Sequence, residues 1–172
     1  MRDIMKKILA IILVAITLLS FVSCSNSGDE KVFRSGGMEI ILSDAFKENS
    51  SVARQYGYTV VLESGNIVIF ALKEDKELCV SAGINSLSEY ARAIRKNNSA
   101  KNPGSIQEVE GLKYTFEYKF YNPDQKTYYS YFTVMYEAQS SYWFVQLTCK
   151  TENYEELRPE LIKYAKTVSF YN

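Results

Sequence analysis

The side chains that could carry acid–base or nucleophilic chemistry are carboxylates, lysines, tyrosines and three cysteines, because this 172-residue chain contains no histidine. Its absence excludes His-based catalytic triads, imidazole proton shuttles and His-ligated zinc. The acids worth testing as a catalytic pair are Glu155, Glu156 and Glu160, with Asp44 and Glu48. Glu155 and Glu156 are explained equally well as first-turn acids that favour a helix dipole. We therefore expect no catalytic residue, and an envelope hydrolase that uses carboxylates stays an alternative.

Ligands for metals and cofactors are sparse. Asn122 and Asp124 lie together, but no loop of alternating oxygen ligands surrounds them as calcium requires. Only Cys79 and Cys149 remain once Cys24 is set aside, which is too few for a cysteine zinc site. The sequence also lacks a glycine-rich phosphate loop and the G-x-S-x-G and S-x-x-K motifs. We expect neither a cofactor nor a metal.

Tyrosine is dense in the second half of the chain, where eight of the 14 tyrosines lie between Tyr114 and Tyr142. Aromatic rings offer contact area at low entropic cost, so Tyr129, Tyr131 and Tyr142 could form an aromatic surface for a sugar or peptide. The alternative is cross-strand pairing and packing of a two-sided sheet beneath helices. We favour the packing alternative.

The context of Cys24 predicts where the protein resides. Arg2, Lys6 and Lys7 precede an apolar run from residue 8 to 19, and small residues then precede Cys24. A basic start, an apolar segment of this length and a small-residue cleavage site together form a secretory signal. The run is shorter than the roughly 20 apolar residues that cross a bilayer, which disfavours a permanent transmembrane helix.

The segment Phe21-Val22-Ser23-Cys24 resembles the lipobox of bacterial lipoproteins. The resemblance implies a signal peptide over 1–23, a diacylglyceryl group on the Cys24 thiol and a flexible tether over 24–31, followed by one domain over 32–172. Since two or more acyl chains anchor a protein stably, it also implies the extracytoplasmic face of the cell membrane, or the outer membrane where one exists. Ordinary secretion and an uncleaved anchor are the alternatives.

Charge limits the choice of partners. The chain from residue 24 onwards carries 17 basic and 19 acidic residues, a net charge near −2. This balance creates no strong field, so nucleic acid is not expected as a partner. Besides the membrane that holds the lipid, we expect another envelope protein or a cell-wall ligand.

Hydrophobic periodicity predicts the elements. Strands are predicted at residues 32–34, 38–42, 58–63, 67–72 and 78–82, with a loop or short helix over 43–53. A helix follows the capping box Ser86-x-x-Glu89. Three strands then form a meander over 112–120, 128–137 and 142–149, and a helix containing Pro159 precedes a last strand over 168–170. The predicted class is α+β, an antiparallel sheet flanked by helices, with chain order ββ-ββ(β)-α-βββ-α. Cys79 and Cys149 should lie on opposite faces of the sheet, so we expect no disulfide between them.

This order resembles the Mog1/PsbP-like α/β/α sandwich. The resembling segments are the opening strand around Gly37 to Leu42, Ser88-Glu89-Tyr90, Glu110-Gly111-Leu112 and the closing Lys166 to Phe170. The resemblance implies a non-enzymatic binding, assembly or accessory protein, and it supplies no catalytic signature. The predicted function is therefore a lipid-anchored extracytoplasmic binding or accessory protein, and a carrier of lipid or a small ligand is a further alternative.

Overall fold

The computed structural model describes residues 29–171. The signal peptide, Cys24 and most of the predicted tether lie outside the described residues. The last two residues of that tether, Glu30 and Lys31, begin the first strand. No helix within 29–171 has the length and apolar character needed to cross a membrane.

Ten strands and four α-helices form the described part of the chain. The strands are β1 (Glu30–Ser35), β2 (Met38–Ser43), β3 (Lys47–Glu48), β4 (Val60–Glu63), β5 (Val68–Asp75), β6 (Gln107–Val109), β7 (Leu112–Asn122), β8 (Thr127–Glu137), β9 (Ser141–Lys150) and β10 (Ser169–Phe170). The helices are α1 (Ser50–Tyr56), α2 (Lys76–Ser81), α3 (Leu87–Asn97) and α4 (Tyr154–Lys166).

The strands form two antiparallel sheets rather than the single sheet expected from the sequence. The larger has the order β3-β4-β5-β9-β8-β7-β6, and the smaller has the order β1-β2-β10. The small sheet brings the two ends of the described segment together, because Phe170 of β10 pairs with Met38 of β2. Such a pairing depends on residues far apart in the chain, and no local pattern predicts it.

The large sheet is covered on both faces, as the predicted sandwich requires. One face packs against α4 and the small sheet in a core that includes Phe132, Trp143 and Leu161. The other face packs beneath α2 and α3 in a core that includes Cys79, Tyr90 and Phe116. Apolar side chains alternate between the two faces along each strand, which explains why the central strands are buried almost throughout.

The meander was predicted correctly because its pattern is local. In β7 the side chains of Phe116 and Tyr118 face one core, while those of their neighbours lie on the other side of the sheet. Across the strands, the ring of Tyr118 stacks on that of Tyr131 at a centroid distance of 4.6 Å. Aromatic pairs of this kind stabilise a register by roughly 0.5–1.5 kcal/mol beyond their buried area.

The strand predicted over 78–82 is wrong, because this segment forms most of α2. The carboxylate of Asp75 accepts hydrogen bonds from the backbone N–H groups of Glu77 at 2.7 Å and Leu78 at 3.4 Å, so it caps a helix at this point. Leu78 and Val80 are 62% and 52% exposed, whereas Cys79 between them is buried. The alternation that suggested a strand therefore assigned the buried side of the segment to the wrong residues.

Cys79 and Cys149 are both buried and free, as expected. They belong to the two different cores, on opposite faces of the large sheet. Burial raises the pKa of the Cys79 thiol to about 11 and that of Cys149 to about 12. Both thiols are therefore neutral at physiological pH and are poor nucleophiles.

Candidate functional site

A stretch without acidic residues surrounds the C-terminal half of α3. Between Tyr90 and Gln107 the chain carries Arg92, Arg95, Lys96 and Lys101 but no aspartate or glutamate. The whole chain has equal numbers of acidic and basic residues. This segment is therefore a local concentration of positive charge on a protein whose charges balance only when the segment is included.

Helix α3 orients these cations through its caps and its buried face. The hydroxyl of Ser86 accepts a hydrogen bond from the backbone N–H of Glu89 at 3.3 Å, and the Glu89 carboxylate accepts one from the N–H of Asn85 at 2.7 Å. Tyr90 and Ile94 are buried against the sheet. Because a helix has 3.6 residues per turn, Arg92 and Lys96 lie on the exposed side of α3, away from this buried face, whereas Arg95 is half-buried at its margin.

The cations line a groove between α3 and the edge of the large sheet. Its volume is about 620 Å³, and its walls comprise three cations, two hydroxyl groups and two apolar or aromatic side chains: Arg92, Arg95, Lys96, Ser88, Ser105, Ile106 and Tyr114. No carboxylate lines it. We call this site the α3 groove. Its like charges repel one another, and a bound anion would relieve that repulsion.

Arg95 is held in position by the loop that precedes β6. Its Nε donates to the carbonyl oxygen of Gly104 at 2.7 Å, and its Nη2 donates to that of Pro103 at 3.2 Å. The loop is itself attached to β7, because the N–H of Gly104 donates to the carbonyl oxygen of Glu117 at 2.8 Å. A guanidinium has five N–H donors in a rigid fork, so the hydrogen bonds that fix Arg95 leave donors for a ligand.

Lys101 lies one short turn beyond α3, over the aromatic rings of β7. Its ammonium is 5.2 Å from the ring centre of Tyr118 and 5.4 Å from that of Phe120. Burial lowers the pKa of Lys101 to about 8. The side chain is therefore mostly charged at neutral pH, and it loses this charge in mildly alkaline solution.

The aromatic surface proposed for Tyr129, Tyr131 and Tyr142 is wrong. These side chains are only 2%, 8% and 3% exposed, and they belong to the core beneath α2 and α3. Tyr142 stacks on Tyr90 of α3 at 5.1 Å. The packing alternative therefore holds, because these rings are buried beneath helices. The alternating pattern predicts on which face of the sheet a ring lies, but it does not predict that helices cover that face.

The most exposed rings of the large sheet lie at the end of the β7–β8 hairpin. Phe120, Tyr121 and Tyr128 are 36%, 43% and 56% exposed, and the last two pair across the strands at 5.0 Å. The alternating pattern alone does not distinguish these exposed rings from the buried ones. The groove cations were also missed, since exposed arginines and lysines on a helix are common, and only the acid-free stretch signalled them.

Three of the acids considered as a catalytic pair, Glu155, Glu156 and Glu160, lie on α4, whereas Glu48 lies on β3 and Asp44 follows β2. Glu160 of α4 accepts a hydrogen bond from Tyr164 on the same helix. Glu48 of β3 accepts hydrogen bonds from the hydroxyls of Ser35 and Ser50. Within residues 29–171, no cluster of three or more histidine, cysteine or acidic side chains is arranged to hold a metal ion.

Comparison with known proteins shows the fold. No family model matches the sequence, and no curated protein matches it. The solution structure of cyanobacterial PsbP (CyanoP) from Synechocystis sp. PCC 6803 is similar, with a TM-score of 0.52, 10% identity and coverage of 87% of this chain and 98% of that chain. The crystal structure of LpqN, described as involved in cell envelope biogenesis of Mycobacterium tuberculosis, has a TM-score of 0.46, 12% identity and coverage of 86% and 93%. The likeness to PsbP confirms the predicted PsbP-like α+β fold.

Proposed function

We propose that this chain is a lipid-anchored accessory protein of the cell envelope whose single domain binds an anionic ligand in the α3 groove. The observation that carries the proposal is the convergence of Arg92, Arg95 and Lys96 on one groove without a carboxylate. Positively charged groups that line a cleft together concentrate anions in it.

The geometry of the groove favours a ligand with more than one negative oxygen. Arginine presents N–H groups in a fork that matches carboxylate and phosphate oxygens, and Arg95 is already oriented by its bonds to the loop. Tyr114 and Ile106 add an apolar wall for the uncharged part of such a ligand. A site that is oriented before binding loses less entropy when the ligand arrives.

The groove supports binding rather than catalysis. Its charged groups are two arginines and a lysine, and no carboxylate, thiol or imidazole lines it to act as a base. The carboxylate hydrolase has less support, because two of the acids considered for it already accept hydrogen bonds: Glu48 from Ser35 and Ser50, and Glu160 from Tyr164.

The proposed lipid anchor at Cys24 would hold the domain close to the membrane surface. Asp29 is the first described residue and β1 begins at Glu30, so the connection from Cys24 to the domain is five residues long. A chain of that length spans at most about 18 Å when it is fully extended. The domain would therefore work beside the membrane surface, on ligands or partner proteins of the envelope.

Ligand binding is tested with the full chain in a neutral detergent and inorganic pyrophosphate as the probe, by calorimetry at low salt. We expect binding that the double variant R92Q/K96Q weakens by about tenfold or more, since each hydrogen bond to a charged group contributes roughly 1.5–3 kcal/mol. The control K47Q/R54Q removes the same charge from exposed positions on β3 and α1. Equal affinity in the two double variants would contradict the groove.

The anchor is tested separately in cells. The full chain should incorporate labelled palmitate and sediment with membranes, and C24S should do neither. A C24S chain that still incorporates the label would contradict lipidation at this residue. Because this readout does not involve the groove, the two parts of the proposal can fail independently.

A further inference from the structure

A second concavity opens at the end of the molecule where the two sheets meet. It has a volume of about 330 Å³ and lies between the β1–β2 turn, the end of β10, the end of β5 and the β8–β9 turn. We call it the junction cleft. We propose that it binds a small ligand with one carboxylate, which Lys73 pairs with, and a ring or apolar body, which packs against Phe170 above the buried Trp143. This site goes beyond the α3 groove and shares no residue with it.

The walls of the junction cleft are fixed by contacts between the sheets. The indole of Trp143 on β9 stacks on the ring of Phe170 on β10, with a centroid distance of 4.9 Å. The N–H of Tyr171 donates to the carbonyl oxygen of Gly37 at 3.0 Å. The cleft is therefore a formed feature of the packing between sheets, not a gap beside one loose loop.

Gly37 keeps the space between the cation and the indole open. A Cβ atom at this position would lie 3.7 Å from the Lys73 Nζ, 3.7 Å from a ring carbon of Trp143 and 3.5 Å from the carbonyl oxygen of Tyr171. A side chain here would thus occupy the room that a ligand needs. The backbone φ of +97° also favours glycine.

Charge in the junction cleft is unbalanced. Glu137 at its rim already pairs with Lys76 at 2.8 Å. Lys73 lies opposite Trp143 in the β5–β9 register, with its ammonium 5.9 Å from the ring centre. No carboxylate among residues 29–171 forms an ion pair with Lys73. One positive charge is therefore available in a cleft that Phe170 also lines.

This composition selects a different ligand from the α3 groove. One cation balances one carboxylate, whereas a phosphate dianion is better balanced by the three cations beside α3. A volume near the lower end of the usual range of about 300–1,000 Å³ suits a small molecule. Phe170, which is half-buried, supplies the aromatic surface that a ring or aliphatic body contacts, and the buried indole of Trp143 supports it from beneath.

Trp143 provides a direct readout, because it is the only tryptophan in the chain. Cyclohexanecarboxylate and its neutral isostere cyclohexanecarboxamide, neither of which fluoresces, are titrated into the full chain in a neutral detergent. We expect a saturable change in Trp143 emission with the carboxylate and at least about tenfold weaker binding of the carboxamide. A response that does not saturate, or equal affinity for the two probes, would overturn the proposal.

The variant K73Q tests the cation. It should weaken binding of the carboxylate by about tenfold, whereas K47Q, at an exposed position on β3, should leave it unchanged. Since Lys73 lies close to Trp143, the shift in thermal midpoint caused by the ligand serves as a second readout for this variant. Unchanged affinity in K73Q would also overturn the proposal. R92Q/K96Q should bind the carboxylate normally, which separates this site from the α3 groove.

Discussion

The hydroxyl of Tyr90 on α3 donates a hydrogen bond to the carboxylate of Glu74 near the end of β5. This bond attaches the helix that carries the groove cations to the large sheet. Burial raises the pKa of the Glu74 carboxyl, and the bond from Tyr90 offsets part of that rise. The ionised carboxylate is therefore less favourable in the folded protein than in the unfolded chain.

Glu74→Gln should stabilise the protein at pH 7 by on the order of 1 kcal/mol, because a neutral amide is easier to bury and its oxygen still accepts from Tyr90. A raised folded pKa means that stability is greatest below the unfolded pKa and falls as pH rises through the folded pKa. The extra free energy of unfolding of Glu74→Gln relative to the wild type should thus vanish near pH 4. Denaturant unfolding at both pH values measures it, with Glu77→Gln on α2 as an exposed control. An equal effect of Glu74→Gln at both pH values would contradict the assignment.

Lys101 should destabilise the fold at neutral pH through its partly desolvated charge. Its pKa of about 8 lies below the ordinary value of 10.5, so between these values the unfolded state binds more protons and stability rises with pH. Lys101→Met should therefore be more stable than the wild type at pH 7, by up to about 3 kcal/mol before solvent screening reduces the effect. The difference in the free energy of unfolding between Lys101→Met and the wild type should be smaller at pH 10 than at pH 7. Denaturant unfolding of both proteins at pH 7 and pH 10 measures this difference. The same difference at both pH values would argue against a lowered pKa of Lys101.

Strong alkali should unfold the protein cooperatively. Burial raises the pKa of Tyr58 to about 12, and burial together with the bond to Glu160 raises that of Tyr164 to about 12. The stability linked to these groups is complete below pH 10 and is lost as pH rises through 12. Tyrosinate absorbance at 295 nm should rise in the same step as circular dichroism is lost. Full ionisation of every tyrosine with the fold intact would contradict this.

Arg95→Lys should loosen the loop before β6 with little effect on the core. Lysine cannot reproduce the fork that bonds the carbonyls of Pro103 and Gly104, so roughly 0.5–1.5 kcal/mol of stability should be lost. Hydrogen exchange should accelerate at the amide of Gly104, which donates to Glu117. Arg92→Lys is the matched control, since Arg92 is exposed on the same helix. Equal exchange in both variants would count against the loop contact.

Local signals sufficed for the meander and for α3. Alternation from Leu112 to Phe120 and the capping box at Ser86 each depend on neighbours within a few residues, and both features are present. The helix at Leu78 was missed because one cap, Asp75, outweighed the β propensity of the segment. The features that the sequence did not predict depend on packing between segments that are distant in the chain. The small sheet, the burial of Tyr131 and both concavities each require contacts between distant segments.

The small sheet also determines how the domain would carry a mechanical load from its attachment. The chain enters through β1, an edge strand, and Glu30 pairs with Ser43 at the open end of the β1–β2 hairpin. A pull on the N-terminus would break the bonds of that hairpin one pair at a time, from Glu30 towards the turn. The seven-stranded sheet lies outside this path, so tension would detach the first strand while the sheet beside the α3 groove stays folded.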